Sequence, residues 1–98
     1  IHQAVTRRLT EAGLPFTHEK NLAPGCRIDF WCGGVGIEIK KGKPKPSALL
    51  EQLRRYAVSE EIGTLVVLTQ RSVRLPPAVC GKPLVQITLN QLWGVALP

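Results

Sequence analysis

Two short runs on either side of a Gly-Gly pair constrain this chain more than anything else in it. Residues Arg27–Cys32 and Val35–Lys40 alternate strictly, with Ile28 and Phe30 on one face of the first run and Ile37 and Ile39 on one face of the second. Alternation of this kind marks half-buried strands, and two intervening residues of the Gly33-Gly34 type mark a tight hairpin. Counting outward from a two-residue turn pairs Cys32 with Val35, sets Asp29 directly opposite Glu38, and sets Arg27 opposite Lys40. Lys40 falls two residues beyond Glu38 and so shares its face. On this count one face of the hairpin belongs to a core, and the other carries two acids and an amine.

The rest of the chain supplies the elements that would cover such a hairpin. Ile1, Val5, Leu9 and Ala12 recur at helical spacing and are followed by Gly13, a natural helix terminator. Phe16 to Leu22 reads as a strand, closed by Pro24-Gly25, which suits a tight turn. Lys41 to Pro46 holds three lysines and two prolines and reads as an exposed basic loop. A second helix follows, with Ser47 as its expected N-cap and Leu49, Leu50, Leu53 and Ala57 as its apolar stripe, running to about Val58. Thr64 to Leu68 is a β-branched and leucine run suited to a central strand, and Leu84 to Thr88 suits a last strand, with a terminal helical turn near Asn90 to Trp93. The expectation is a single domain over residues 1–98, of α/β class, with a mixed sheet and the order α-β-β-β-α-β-β. The strand-helix-strand segment in its second half calls for a right-handed crossover between parallel neighbours.

Composition agrees with one folded domain and narrows its partners. Hydrophobic residues make up 44% and charged residues 20% of 98 residues, ordinary globular proportions. No apolar run approaches the roughly 20 residues of a membrane-spanning helix, and the first residues lack a signal-peptide pattern, so a cytoplasmic location without membrane contact is expected. Cys26, Cys32 and Cys80 form an odd set without a CxxC pair, which indicates neither a disulfide framework nor a zinc knuckle and leaves them as small buried hydrophobes. A net charge of +6 favours a polyanion as partner.

Opposed residues on paired strands have Cβ atoms roughly 4.5 to 5.5 Å apart, a spacing at which two carboxylates repel unless a cation or proton lies between them. A divalent ion meets that need, since Mg²⁺ takes one or two carboxylates together with water and phosphate oxygens. A metal-bound water gives up its proton more readily, and an adjacent ammonium offsets charge that develops on a phosphoryl group. The plainer alternative is a solvated face whose acids pair with Arg27, Lys20 or Lys40.

Arg27-Ile28-Asp29-Phe30 followed by Ile37-Glu38-Ile39-Lys40, on a hairpin after an amino-terminal helix, resembles the PD-(D/E)xK nuclease superfamily. Gln52-Leu53-Arg54-Arg55-Tyr56 adds the Q-x-x-x-Y pattern of its RecB-like members, which places the chain near small nucleases of the VRR-NUC or Holliday-junction-resolvase kind. The resemblance implies a restriction-endonuclease-like core in which Asp29, Glu38 and the Ile39 carbonyl hold Mg²⁺ or Mn²⁺ and Lys40 orients water or stabilises charge. Gln52 and Tyr56 would then support the site or touch substrate. Family members often carry a further acid or His upstream; Glu19 is the first candidate here, with Glu11, His2 and His18 behind it. The proline that names the motif is missing before Asp29.

Lys41, Lys43, Lys45, Arg54 and Arg55 flank these residues in sequence, and Arg7 and Arg8 add to the same balance of charge. Contacts of this kind hold a phosphate backbone without reading its bases. Trp31 suits either stacking on a base or filling a groove of the fold, the second being the commoner role. The expected activity is metal-dependent hydrolysis of DNA by an activated water, without an organic cofactor and with a homodimer as one way to reach two strands. The alternatives are a non-catalytic nucleic-acid-binding module of the same fold and a protein-interaction domain whose acids are structural.

Overall fold

The computed structural model describes residues 2–88. Its elements are α1 (His2–Glu11), β1 (Thr17–Ala23), β2 (Cys26–Cys32), β3 (Val35–Lys40), α2 (Pro46–Ala57), β4 (Thr64–Thr69), β5 (Ala78–Val79) and β6 (Lys82–Thr88). The strands form one mixed six-stranded sheet in the order β1-β2-β3-β4-β6-β5. β1, β2 and β3 are antiparallel neighbours, whereas β3 pairs with β4, and β4 with β6, in parallel. The chain is thus an α/β domain, and its β3-α2-β4 segment joins parallel strands as the sequence pattern requires. The helical turn expected near Asn90 to Trp93 lies outside the described residues. No helix among those residues is long and apolar enough to cross a membrane.

The helices cover opposite faces of the sheet. On one face Leu49, Leu53, Tyr56 and Ala57 of α2 pack on Ile28, Leu65, Val67 and Leu84. On the other, Val5 and Leu9 of α1 pack on Phe30, Ile39 and Leu68. β4 sends Leu65 and Val67 one way and Val66 and Leu68 the other, which is why a strand between two layers reads as a continuous apolar run. β3 does not: Ile37 and Ile39 face α1, but its α2 side offers Gly36, Glu38 and Lys40.

Four sequence expectations need correction. Ile28 and Phe30 do not share a face, since Ile28 belongs to the α2 cluster and Phe30 to the α1 cluster. The two-residue repeat loses phase at Asp29, and the partner strand loses it at the same level. His18 pairs with Phe30 and Lys20 with Ile28, but the intervening Glu19 and Asp29 make no ladder pair, and Glu19 has a φ of 57°. A left-handed residue inside a strand turns the following side chains over, and outside glycine it costs about 1–2 kcal/mol. Second, α2 begins at Pro46, with Lys45 rather than Ser47 at the cap position and no side-chain cap bond. Proline has no N–H to leave unsatisfied and holds a helical φ, so it opens the helix by itself. Third, a short strand was missed: β5 is two residues long, below what a period can reveal, and it meets β6 through a turn at Cys80 and Gly81, both at positive φ. Fourth, none of the cysteines is fully buried; Cys26 and Cys32 are half-buried, and Cys80 in that turn is exposed.

Gly36 leaves no room for a side chain on the α2 side of β3. A Cβ there would lie 2.6 Å from Ile28 Cδ1 and 2.8 Å from Ile62 Cδ1. Gly36→Ala is therefore expected to destabilise the domain by about 1–3 kcal/mol through overpacking. Adding Ile28→Val, which removes the nearer methyl, should recover part of the loss. Urea denaturation of the two variants checks this; an unchanged midpoint for Gly36→Ala would contradict the packing described.

Candidate functional site

The hairpin forms as counted from its turn, and then opens. Gly33 and Gly34 have φ of 53° and 90°, and the ladder runs through Cys32↔Val35, Trp31↔Gly36 and Phe30↔Ile37. Positive φ at both central residues is the condition of the tight turn that matches strand twist. The next pair, Asp29 and Glu38, is absent from the ladder. In its place the Ile39 N–H donates to Asp29 Oδ2 at 2.8 Å, and the Asp29 N–H donates to Glu38 Oε1 at 3.3 Å. Each acid occupies the other strand's free amide, so the two strands fork with the carboxylates between them.

Three charged groups meet at this fork. Lys40 Nζ lies 3.3 Å from Glu38 Oε2, and Glu38 is only 4% exposed. Burial, and then the charge of Asp29, raises the Glu38 carboxyl above the ordinary glutamate range, while Lys40 and the Asp29 amide pull it back only in part. On the α1 side, His2 Nε2 stands 3.6 Å from Asp29 Oδ1. The His18 ring stacks on Phe30 at 4.7 Å between centroids, and the two imidazoles are 6.1 Å apart.

α2 braces the fork from behind. Tyr56, 2% exposed, donates its hydroxyl to the Arg27 carbonyl at 3.1 Å, and Gln52 Nε2 donates to the same hydroxyl at 2.9 Å. Spacing of four residues sets the two side chains one above the other. Burial, followed by the nearby charge of Glu38, pushes the phenol's ionisation well above the usual tyrosine range, so it remains a donor. Tyr56 is thus both a core residue and the tie between α2 and the strand segment two residues before Asp29.

The remaining sequence candidates fall into clear positions. Glu19 lies at the level of Asp29 across the β1–β2 pair but is exposed, as is Glu11 at the end of α1. Among the described residues no group of three His, Cys, Asp or Glu side chains is arranged to hold a metal ion. The Ile39 side chain is core, and its main chain runs through the fork. Lys41, Lys43, Lys45, Arg54 and Arg55 are exposed on the β3–α2 loop and on α2, as are Arg7 and Arg8 on α1. Trp31 takes the packing role: its Nε1 donates to the Glu61 carbonyl at 2.8 Å, and Lys20 lies 4.9 Å above its ring while pairing with Glu61 at 3.3 Å. Of the upstream candidates, His2 is the one that lies beside Asp29. The only signal for it is its position on the first turn of a helix that tertiary packing brings over Phe30.

Two clefts border the fork on the α2 side. One of about 120 Å³ is lined by Lys40, Pro44, Lys45, Ala48, Leu49 and Gln52. The other, of about 70 Å³, is lined by Gly25, Cys26, Arg27, Gln52, Arg55 and Tyr56. Comparison with protein-family models, curated proteins and solved structures gives no match for this chain.

Two outcomes are expected from this geometry. A carboxyl whose folded-state pKa is raised holds its proton after the unfolded chain has lost it, so its contribution to stability declines as pH rises from the ordinary glutamate range through the raised value. In EDTA, Glu38→Gln should therefore gain stability relative to the parent as pH rises above the ordinary glutamate range, with the gap closing at the acid end; urea midpoints across a pH series test it, and a gap that widens toward acid would refute the burial argument. Tyr56→Phe removes one partly buried donor and leaves the Arg27 carbonyl without it, which should cost about 1–3 kcal/mol in the same assay.

Proposed function

We propose that this chain is a metal-dependent nuclease with the restriction-endonuclease-like core of the PD-(D/E)xK enzymes, and that DNA is its substrate. The observation that carries the reading is the fork itself: two carboxylates and an ammonium converge where the sheet opens, and Glu38 is held above its ordinary pKa first by burial and then by the charge of Asp29, with too little positive charge nearby to offset them. That deficit is what a divalent cation relieves.

The donor set fits Mg²⁺ or Mn²⁺ in kind. Both prefer hard oxygen ligands and commonly take one or two carboxylates with water completing the shell. Asp29 and Glu38 would be the side-chain ligands, with the Ile39 carbonyl as a third donor. When bound, the ion would neutralise phosphoryl charge and make its water more acidic. The protein's own contribution is positional. The Ile39 and Asp29 amides fix one oxygen of each carboxylate, which removes rotamer freedom from both acids. Lys40 brings a positive charge to the edge of the fork, where it can contact a phosphate oxygen or orient a water. Tyr56 and Gln52 hold the Arg27 main chain and thereby the strand that carries Asp29. Lys41, Lys43, Lys45, Arg54 and Arg55 supply sequence-independent attraction for a phosphate backbone. A homodimer would present two such forks to two strands.

A non-catalytic nucleic-acid-binding module of the same fold is the second reading, and the exposed lysines and arginines of the β3–α2 loop and α2 would serve it without a metal. Incubating the protein with duplex, single-stranded and branched DNA in Mg²⁺, Mn²⁺ or EDTA separates the two. Cleavage is expected with metal and not with EDTA, and Asp29→Ala, Glu38→Ala and Lys40→Ala should each lower the rate by about a hundredfold or more while circular dichroism is unchanged. Binding without cleavage in every metal would support the module; neither binding nor cleavage would leave the acids a structural role.

A further inference from the structure

The loop between β4 and β5, residues 70–77, has no part in the chemistry assigned above, yet its main chain is firmly held. Gln86 of β6 takes both main-chain groups of Val73: the Val73 N–H donates to Gln86 Oε1 at 2.7 Å, and Gln86 Nε2 donates to the Val73 carbonyl at 2.6 Å. An amide side chain used in this way stands in for a neighbouring strand, and the Thr69 hydroxyl donates to the same Oε1 at 3.2 Å. The Val73 side chain is buried, whereas Arg71 and Arg74 on either side of it are exposed. The Gly42 N–H donates to Gln70 Oε1, which ties this loop to the basic loop between β3 and α2.

The sheet sets both loops at one edge. β3 and β4 are parallel and end together, Lys40 pairing with Thr69. Adjacent strands lie about 4.8 Å apart, so residue 70 leaves the sheet beside Lys40 and next to the fork. In open α/β sheets ligands bind outside the carboxyl ends of the parallel strands. Lys41, Lys43, Lys45, Arg71 and Arg74 are carried on these two loops, and the sequence has no acid between Glu38 and Glu51 or after Glu61. None of those five cations forms an ion pair among the described residues. Like charges gathered along one edge repel, and a polyanion laid across them reverses the sign. A main chain already fixed lowers the ordering cost of such a contact.

We infer that the β4–β5 loop is a further contact for the phosphate backbone, in which Arg71 and Arg74 hold the nucleic acid on the β4 side of Lys40. The strand that reaches Asp29 and Glu38 then runs along the carboxyl ends of β3 and β4, away from the β1 edge. The identity of the polyanion rests on the reading proposed above for the fork.

Duplex DNA binding measured against salt in EDTA tests the contact apart from cleavage. Arg71→Gln/Arg74→Gln should bind more weakly than the parent, with a log-log slope shallower by at least about 0.9, the value of one lost phosphate contact. Lys20→Gln/Arg27→Gln removes the same charge from β1 and β2 and should leave the slope unchanged, with circular dichroism of both variants matching the parent. An unchanged slope in the Arg71/Arg74 variant, or an equal change in the control, overturns the loop contact while the nuclease reading is still decided by the cleavage assay. A parent that neither binds nor cuts DNA with any metal overturns the loop contact and the nuclease reading together.

Discussion

The reciprocal bonds between Asp29 and Glu38 and each other's strands organise this molecule. An antiparallel hairpin that simply continued would satisfy its amides with carbonyls; here two of them are satisfied by carboxylates. Hydrogen bonds to a charged acceptor contribute about 1.5–3 kcal/mol, which offsets part of the repulsion that comes from placing two acids side by side. The fork is therefore held open by the carboxylates that lie within it. Glu38 bears the remaining imbalance, since it is the more deeply buried of the two and Lys40 compensates it only in part.

Both helices act on the fork through single side chains. α2 reaches the Arg27 carbonyl with Tyr56, steadied by Gln52, and α1 brings His2 up to Asp29. The phase break at Asp29 and Glu19 makes this possible. Because Ile28 turns toward α2 and Phe30 toward α1, the strand is gripped by a different core on each side of the acid. A strand with unbroken alternation would have packed both on one helix.

Of the exposed cations of the β3–α2 loop and α2, Lys45 and Arg55 line the clefts, whereas Trp31 and Lys20 are engaged with Glu61 and stabilise the loop before β4.

By itself the sequence determined the class of fold, the hairpin and its turn, the register of its first three pairs from Cys32↔Val35 to Phe30↔Ile37, and the grouping of Asp29, Glu38 and Lys40, because periodicity and glycine chemistry act over a few neighbouring residues. It also placed Gln52 and Tyr56 on one helix side, for the same local reason. Only the tertiary structure decided that the ladder stops at Phe30↔Ile37, that the strand changes face at Asp29, that His2 reaches Asp29, and that Tyr56 meets the Arg27 carbonyl. Those outcomes depend on which elements pack across the sheet and on a left-handed φ at Glu19, a conformation its side chain does not favour and its neighbours in sequence do not announce. Contacts between segments distant in sequence leave no period to read, and so they became visible only once the chain was folded.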